Sequence, residues 1–142
     1  MIAKWRLKVK QFDMIAAYLN AAIDDRVVYI KQPTGFGDQN KVWLLVQALY
    51  GLKQAAFLWY DCFTEALAEL GFKPLPNDIC VYIKHDASSY IIIYVDDALV
   101  AARSDQEIDD VLVSLGDKFK IKVFAPEKFL GCGIKFTDGI VI

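Results

Sequence analysis

Two adjacent acids, Asp96 and Asp97, interrupt the apolar run "YIIIYVDDALVAA" at residues 90–102. An isolated carboxylate costs several kcal/mol to take out of water. Two of them about 4 Å apart repel by roughly 4 kcal/mol at an effective dielectric near 20. Either the pair sits on an exposed turn or a cation sits on the pair. A third acid, Asp13, closes the alternating stretch "KWRLKVKQFD". If that stretch and the 90–102 segment are neighbours in one sheet, three carboxylates gather at one edge. Hard divalent cations take oxygen ligands, and Mg²⁺ is commonly held by one or two carboxylates together with substrate phosphates. Such a cluster would relieve its repulsion by binding two cations and a triphosphate clamped between them.

The elements that must position these acids are legible in outline. Residues 4–13 alternate, with Lys4, Arg6, Lys8 and Lys10 on one side and Trp5, Leu7, Val9, Gln11 and Asp13 on the other, which is the period of a strand. "MIAAYLNAAI" (14–23) has the content of a short helix, and "RVVYIKQP" (26–33) reads as a strand stopped by Pro33. Residues 34–40, "TGFGDQN", read as a loop, and "KVWLLVQALYG" as a short strand running into a turn at Gly51. From Gln54 to Leu70 apolar residues recur at steps of three and four, predicting a helix that Gly71 ends. Strands follow at 79–84, 90–95 and 98–102, with Asp96-Asp97 as a two-residue hairpin loop between the last two. Ser104 and Glu107 form an S-x-x-E capping box opening a helix to about residue 115, and two short strands flank Pro126. This order predicts an α+β fold: one antiparallel sheet with helices on one face and a split βαβ core resembling a ferredoxin-like sheet. The free face is where function would sit.

With 142 residues, 56% of them hydrophobic, the chain can bury a core as a single domain. No apolar run approaches the roughly 18 residues of a membrane helix, and the N-terminus lacks the apolar stretch of a signal peptide. Cys62, Cys80 and Cys132 are scattered, without zinc or disulfide spacing, and read as small core residues in a reducing compartment. His85 falls in a polar loop. A net charge of −2 gives no global field attracting nucleic acid.

"YVDD" inside an apolar hairpin, "QFDMIAAYLN" upstream and "LYGLKQA" between them resemble the reverse transcriptase of copia-type LTR retrotransposons. "VYIKQPTGF" (28–36), "NDICVYIK" (77–84) and "FLGCGIKF" (129–136) complete six blocks in the expected order, covering roughly residues 5–136. The resemblance implies a polymerase palm over residues 1–142, an RNA-directed DNA polymerase segment of a Pol polyprotein. It implies two-metal nucleotidyl transfer from a dNTP to a primer 3′-hydroxyl, with two Mg²⁺ ions or Mn²⁺ in their place. Implied partners are an RNA or DNA template-primer, the dNTP, and the fingers, thumb, RNase H and integrase segments of a parent polyprotein, with no membrane. The implied location is intracellular, in cytoplasmic virus-like particles or the nucleus. A palm carries acids at its chemistry, and much of the phosphate-binding charge comes from other subdomains, which answers the charge objection.

Residue by residue, the resemblance assigns Asp13, Asp96 and Asp97 as the catalytic, metal-binding acids. Tyr18 takes the place of the aromatic steric gate against a ribose 2′-hydroxyl. Gly51, Lys53 and Gln54 match the segment lining the incoming nucleotide and template, where a small Gly permits close backbone approach. Phe129, Leu130 and Gly131 match the primer-grip hairpin. Structural readings stand beside these: Tyr18, Phe129 and Leu130 as core residues, Lys53 as a solvated helix-start lysine. The chain departs from the family at Ile15-Ala16, where Lys-Thr is usual, at Ala21 where "LNG" is usual, and at Ala56-Phe57-Leu58, which replace a polar, basic stretch. It also starts just before the first catalytic block, without a basic fingers segment. These features leave a catalytically inactive, transposon-derived remnant as the alternative. An RNA-binding sheet of the RRM type would need a K/R-G-F/Y-G/A-F signature, which is not present.

Overall fold

Alternation from Lys8 to Met14 makes the first strand, β1, whose Phe12 and Met14 are fully buried while Lys8 on the same face stays exposed. The computed structural model describes residues 6–23, 27–38, 40–137 and 140–141, so Lys4, Trp5, Arg26 and Gln39 of the predicted segments lie outside the described residues. Its elements are β1 (Lys8–Met14), a 3₁₀ turn (Ala17–Asn20), β2 (Tyr29–Lys31), β3 (Val42–Leu44) and helix α1 (Ala55–Glu69). Then come β4 (Phe72–Leu75), β5 (Asp78–Lys84), β6 (Ser89–Tyr94), β7 (Asp97–Ala102) and helix α2 (Asp105–Gly116). The last are β8 (Ile121–Phe124), β9 (Lys128–Phe129), β10 (Cys132–Gly133), β11 (Phe136–Thr137) and β12 (Ile140–Val141). The fold is therefore mixed α+β, with antiparallel strands and, among the described residues, two α-helices, as the alternating patterns predicted.

Two compact units divide the chain: Met1–Ile15 with Phe63–Ile142, and Ala16–Cys62. The first holds a six-stranded sheet in the order β4-β5-β6-β7-β1-β8, antiparallel at every pairing. The register puts Phe12 opposite Ala98, Ala98 opposite Ile93, and Ile91 opposite both Val100 and Tyr82. All of these are buried, so they mark the face that packs on helix. There α2 lies against β1 and β7 through Ile108, Leu112 and Leu115, and the Phe63 ring meets Phe119 at 5.9 Å. Full burial of each such side chain contributes roughly 1.5–3 kcal/mol. Thr64 and the Tyr82 hydroxyl, 2.8 Å apart, satisfy each other at the edge of this core. The opposite face carries Gln11, Asp13 and Asp97.

The second unit holds the β2–β3 hairpin, with Ile30 opposite Trp43, and an isolated bridge between Ala22 and Gln47. Ala48 N–H donates to the Ala21 carbonyl at 2.8 Å and Ile23 N–H to the Val46 carbonyl at 3.2 Å, closing the unit on itself.

Four sequence expectations need correction. Helix 14–23 is absent: Met14 completes β1, Ala16 takes a left-handed φ of 55°, and only a 3₁₀ turn follows. Strand pairing claims Met14 and an isolated bridge claims Ala22, which leaves too few residues between them for that α-helix. Strand β4 was not expected; it contains Pro74, and at the sheet edge a missing N–H is tolerated. The hairpin loop is Val95-Asp96, since Tyr94 pairs with Asp97. Finally, the cysteines are not core residues: Cys80 and Cys132 are exposed and Cys62 is half-buried. Among the described residues no helix is long and apolar enough to cross a membrane.

Candidate functional site

The β6–β7 hairpin turns on Val95, at φ 60°, and Asp96. Positive φ at the first loop residue alone is the pattern of a II′ turn, a position that normally takes glycine. A β-branched residue there is strained. The turn is held from the side as well: the Met14 N–H donates to the Asp96 carbonyl at 2.7 Å. Thus Asp96 is fixed to the end of the strand that carries Asp13.

Asp13 and Asp97 are directly opposite in the β1–β7 ladder. Side chains opposite each other on antiparallel strands share a face, with Cβ atoms about 4.5–5.5 Å apart. Asp13 and Asp97 therefore share a face at one end of the adjacent strands β1 and β7, with Asp96 in the turn beside them. The electrostatic mark of this arrangement is on Asp13, whose carboxyl is pushed above the ordinary value of 3.8. Burial is the largest cause, followed by repulsion from Asp96 and from Asp97, while Lys122 pulls the other way. Lys122 faces Asp13 from β8, so the carboxylate has a like charge on one neighbouring strand and a cation on the other.

Asp97 is held differently. The Gln11 amide Nε2 donates to both of its carboxylate oxygens, at 2.8 and 3.0 Å, and to the Lys128 carbonyl at 2.9 Å. Gln11 is 3% exposed, and its Oε1 is buried with no hydrogen-bond partner. Sequence reading put Gln11 on the Asp13 face but gave it no role; a polar residue on a strand face that ends in an acid was the available signal. Among the described residues no group of three His, Cys, Asp or Glu side chains is arranged to hold a metal ion. The donor chemistry at Asp13 and Asp96 nonetheless suits a hard cation: two oxygen donors, in a place where like charge already raises one of them.

The remaining sequence candidates fall in two places. Phe129, Leu130 and Gly131 lie in the first unit, at the β9–β10 hairpin. Phe129 is buried, whereas Leu130 is exposed and not a core residue. Leu130 and Gly131 form the two-residue turn, with φ of 52° and 81°. Tyr18, Gly51, Lys53 and Gln54 lie in the second unit. There the Tyr18 ring sits 4.3 Å from the Tyr50 ring, tilted by 40°. Gly51 adopts φ 96°, and a Cβ built on it would meet nothing within 4 Å. No protein atom crowds it, so backbone conformation is what calls for glycine there. Lys53 is exposed, and the Gln54 carbonyl accepts from Leu58 N–H at 3.0 Å as α1 begins. His85 is exposed in the turn after β5.

Comparison with known proteins adds to this geometry. A family model described as reverse transcriptase (RNA-dependent DNA polymerase) matches residues 1–142. The chain is 37% identical over 128 residues to a transposon Ty5-1 protein of Saccharomyces cerevisiae, covering 86% of this chain and 41% of that protein. It is 34% identical over 119 residues to the retrovirus-related Pol polyprotein from transposon RE1 of Arabidopsis thaliana, covering 80% of this chain and 8% of the polyprotein. With the corresponding polyprotein from transposon TNT 1-94 of Nicotiana tabacum it shares 32% over 141 residues, 94% of this chain and 10% of the polyprotein. The chain thus spans less than half the length of each of these relatives.

Proposed function

The chain belongs to the reverse transcriptase (RNA-dependent DNA polymerase) family, and on that premise we propose that it supplies the palm of a retrotransposon polymerase that transfers nucleotides to a primer 3′-hydroxyl. The observation that carries this reading is the pairing of Asp13 with Asp97 across β1 and β7, with Asp96 pinned to Met14 beside them. We read the six-stranded sheet, helices on one face and acids on the other, as a palm of ferredoxin-like type.

Asp13 and Asp96 would hold the divalent cations. Bound there, Mg²⁺ or Mn²⁺ would lower the pKa of the primer hydroxyl and neutralise the departing pyrophosphate. Asp13 meets a cation half-buried and already repelled by its neighbours, so binding relieves charge that the apo fold must otherwise tolerate. Asp97, engaged by Gln11, adds negative charge without needing to be a ligand. Phe129, Leu130 and Gly131 would seat the primer end. Tyr18, beside the tilted ring of Tyr50, would read the sugar of the incoming nucleotide, with Gly51, Lys53 and Gln54 along the template and triphosphate. Partners follow from the same reading: a primed RNA or DNA template, a dNTP, and other segments of a Pol polyprotein.

The test is extension of a primed RNA template with dNTPs and Mg²⁺, comparing wild type with Asp96→Asn. Wild type is expected to extend the primer, and the variant to fold normally while extending at least a hundredfold less. Equal extension by the two proteins would sink the assignment. A specific observation favours a second reading, a folded remnant that no longer polymerises: Ala56 and Phe57 present an exposed apolar surface where the family usually has polar, basic residues. That reading predicts no extension by either protein.

A further inference from the structure

Gln11 is almost completely buried, yet it stands in the middle of the open face beside two acids. On the β1–β7 ladder Gln11 is opposite Leu99 and Asp13 opposite Asp97, so Gln11 and Asp97 are diagonal neighbours on one face. That separation is within reach of a long side chain. One amide nitrogen meets three acceptors: the two Asp97 oxygens and the Lys128 carbonyl. Its two hydrogens suffice if one is shared across the carboxylate and the other goes to the carbonyl. Rotating the amide by half a turn would aim Oε1 at a carboxylate and a carbonyl, both acceptors, so the orientation is fixed by its surroundings. The orphaned Oε1 is the cost of that orientation.

We propose that Gln11 is a positioning residue: its buried amide sets the Asp97 carboxylate and joins it to the backbone of β9, so that the acid hairpin and the Leu130–Gly131 turn move as one unit. Lys128 opens β9, and Phe129 pairs with Cys132 across the turn. This amide links the acid hairpin to that turn, and a hydrogen bond to a carboxylate is of the stronger kind. The turn itself is small: beyond the pairing of Phe129 with Cys132 and Lys128 with Gly133, it is closed by the Ile134 N–H donating to the Glu127 carbonyl at 2.8 Å. Such a short hairpin needs an outside anchor to keep one position.

The names given to the coupled parts rest on the polymerase reading, but the coupling is measured without it. Gln11→Met keeps the length and bulk of the side chain and removes its donors; Gln11→Glu keeps the shape and replaces donors by acceptors. In amide hydrogen exchange on the whole chain, both variants are expected to exchange at least tenfold faster at Cys132 and Ile134. Exchange at Ile91 and Ile93 in the sheet centre should stay within twofold of wild type. As a signature that simple packing would not produce, Asp97→Asn in an otherwise wild-type chain should shift the Gln11 side-chain amide resonances and, with them, the backbone amides of Phe129 and Leu130. Asp97 is half-buried, so this variant is expected to fold even if the Gln11 variants do not. Wild-type exchange at Cys132 and Ile134 in Gln11→Met, or unmoved resonances in Asp97→Asn, overturns the proposal. Equal primer extension by wild type and Asp96→Asn would instead remove the polymerase reading and leave the coupling standing.

Discussion

Asp13 carries its charge where the fold resists it. Burial and the repulsion of Asp96 and Asp97 raise its carboxyl above 3.8, outweighing the attraction of Lys122. A raised acid stabilises the fold fully below its unfolded-state value, and that contribution is lost as pH climbs through the folded-state value. Asp13→Asn removes the loss. At neutral pH the variant should be more stable than wild type by up to about 1 kcal/mol, the scale of partly exposed charge interactions, and the difference should vanish at about pH 3. Urea denaturation at the two pH values measures both; a variant less stable than wild type at neutral pH contradicts the assignment of Asp13 to a repulsive cluster. Val95 is the second residue-scale case. Its φ of 60° costs of order 1–3 kcal/mol for a β-branched side chain, partly offset in a glycine variant by the looser unfolded chain. Val95→Gly should therefore raise the urea midpoint, by the equivalent of about 1 kcal/mol. A lower midpoint would mean that the side chain contributes more by contact than it costs in strain.

At the scale of elements, what the sequence shows best is what is local. The Ser104–Glu107 capping box is present in full: the Ser104 hydroxyl accepts from Glu107 N–H at 3.2 Å, and the Glu107 carboxylate accepts from Ser104 N–H at 3.0 Å. Both partners sit within three residues, so no tertiary contact is needed to predict them. Ser104→Ala is expected to cost about 1 kcal/mol and to speed amide exchange in the first turn of α2 before any other part of the chain; a stability equal to wild type would show the cap to be redundant. Helix α1, from its spacing of apolar residues, and its end at Gly71 with φ 83° were legible for the same reason. The failures were of another kind. Residues 14–23 have helical content, but Met14 pairs with Ile121 in the sheet and Ile15 N–H donates to the Lys120 carbonyl, partners more than a hundred residues away. Strand β4 drew no expectation at all, and it lies at the sheet edge, where the N–H that Pro74 lacks is tolerated.

For the whole molecule, the consequence of gathering acids is a fold that a cation should stabilise. Ligand that binds only the folded state adds RT ln(1 + [L]/Kd), about 1.4 kcal/mol at ten times Kd. Millimolar MgCl₂ should thus raise the melting temperature of wild type by a few degrees and leave Asp13→Asn and Asp96→Asn unmoved at equal ionic strength. The same rise in all three would indicate general screening of charge and no cation at these acids. Ordinary screening acts on exposed pairs such as Lys10–Asp109 and Lys118–Glu69, which are common to all three proteins.

By itself the sequence determined the α+β class, the helix from Ala55, the capped helix from Asp105, the family, and which acids to watch, because periodicity, caps and short motifs are written in residues close together along the chain. Tertiary structure decided which strands lie side by side. The β6–β7 register places the hairpin loop at Val95-Asp96, and the β1–β7 register brings Asp13 opposite Asp97 and turns Gln11 from an unremarked polar residue into one that holds an acid and a distant carbonyl at once. Pairing between segments 86 and 117 residues apart is a property of packing, and one residue of slip would have sent every one of those side chains to the other face.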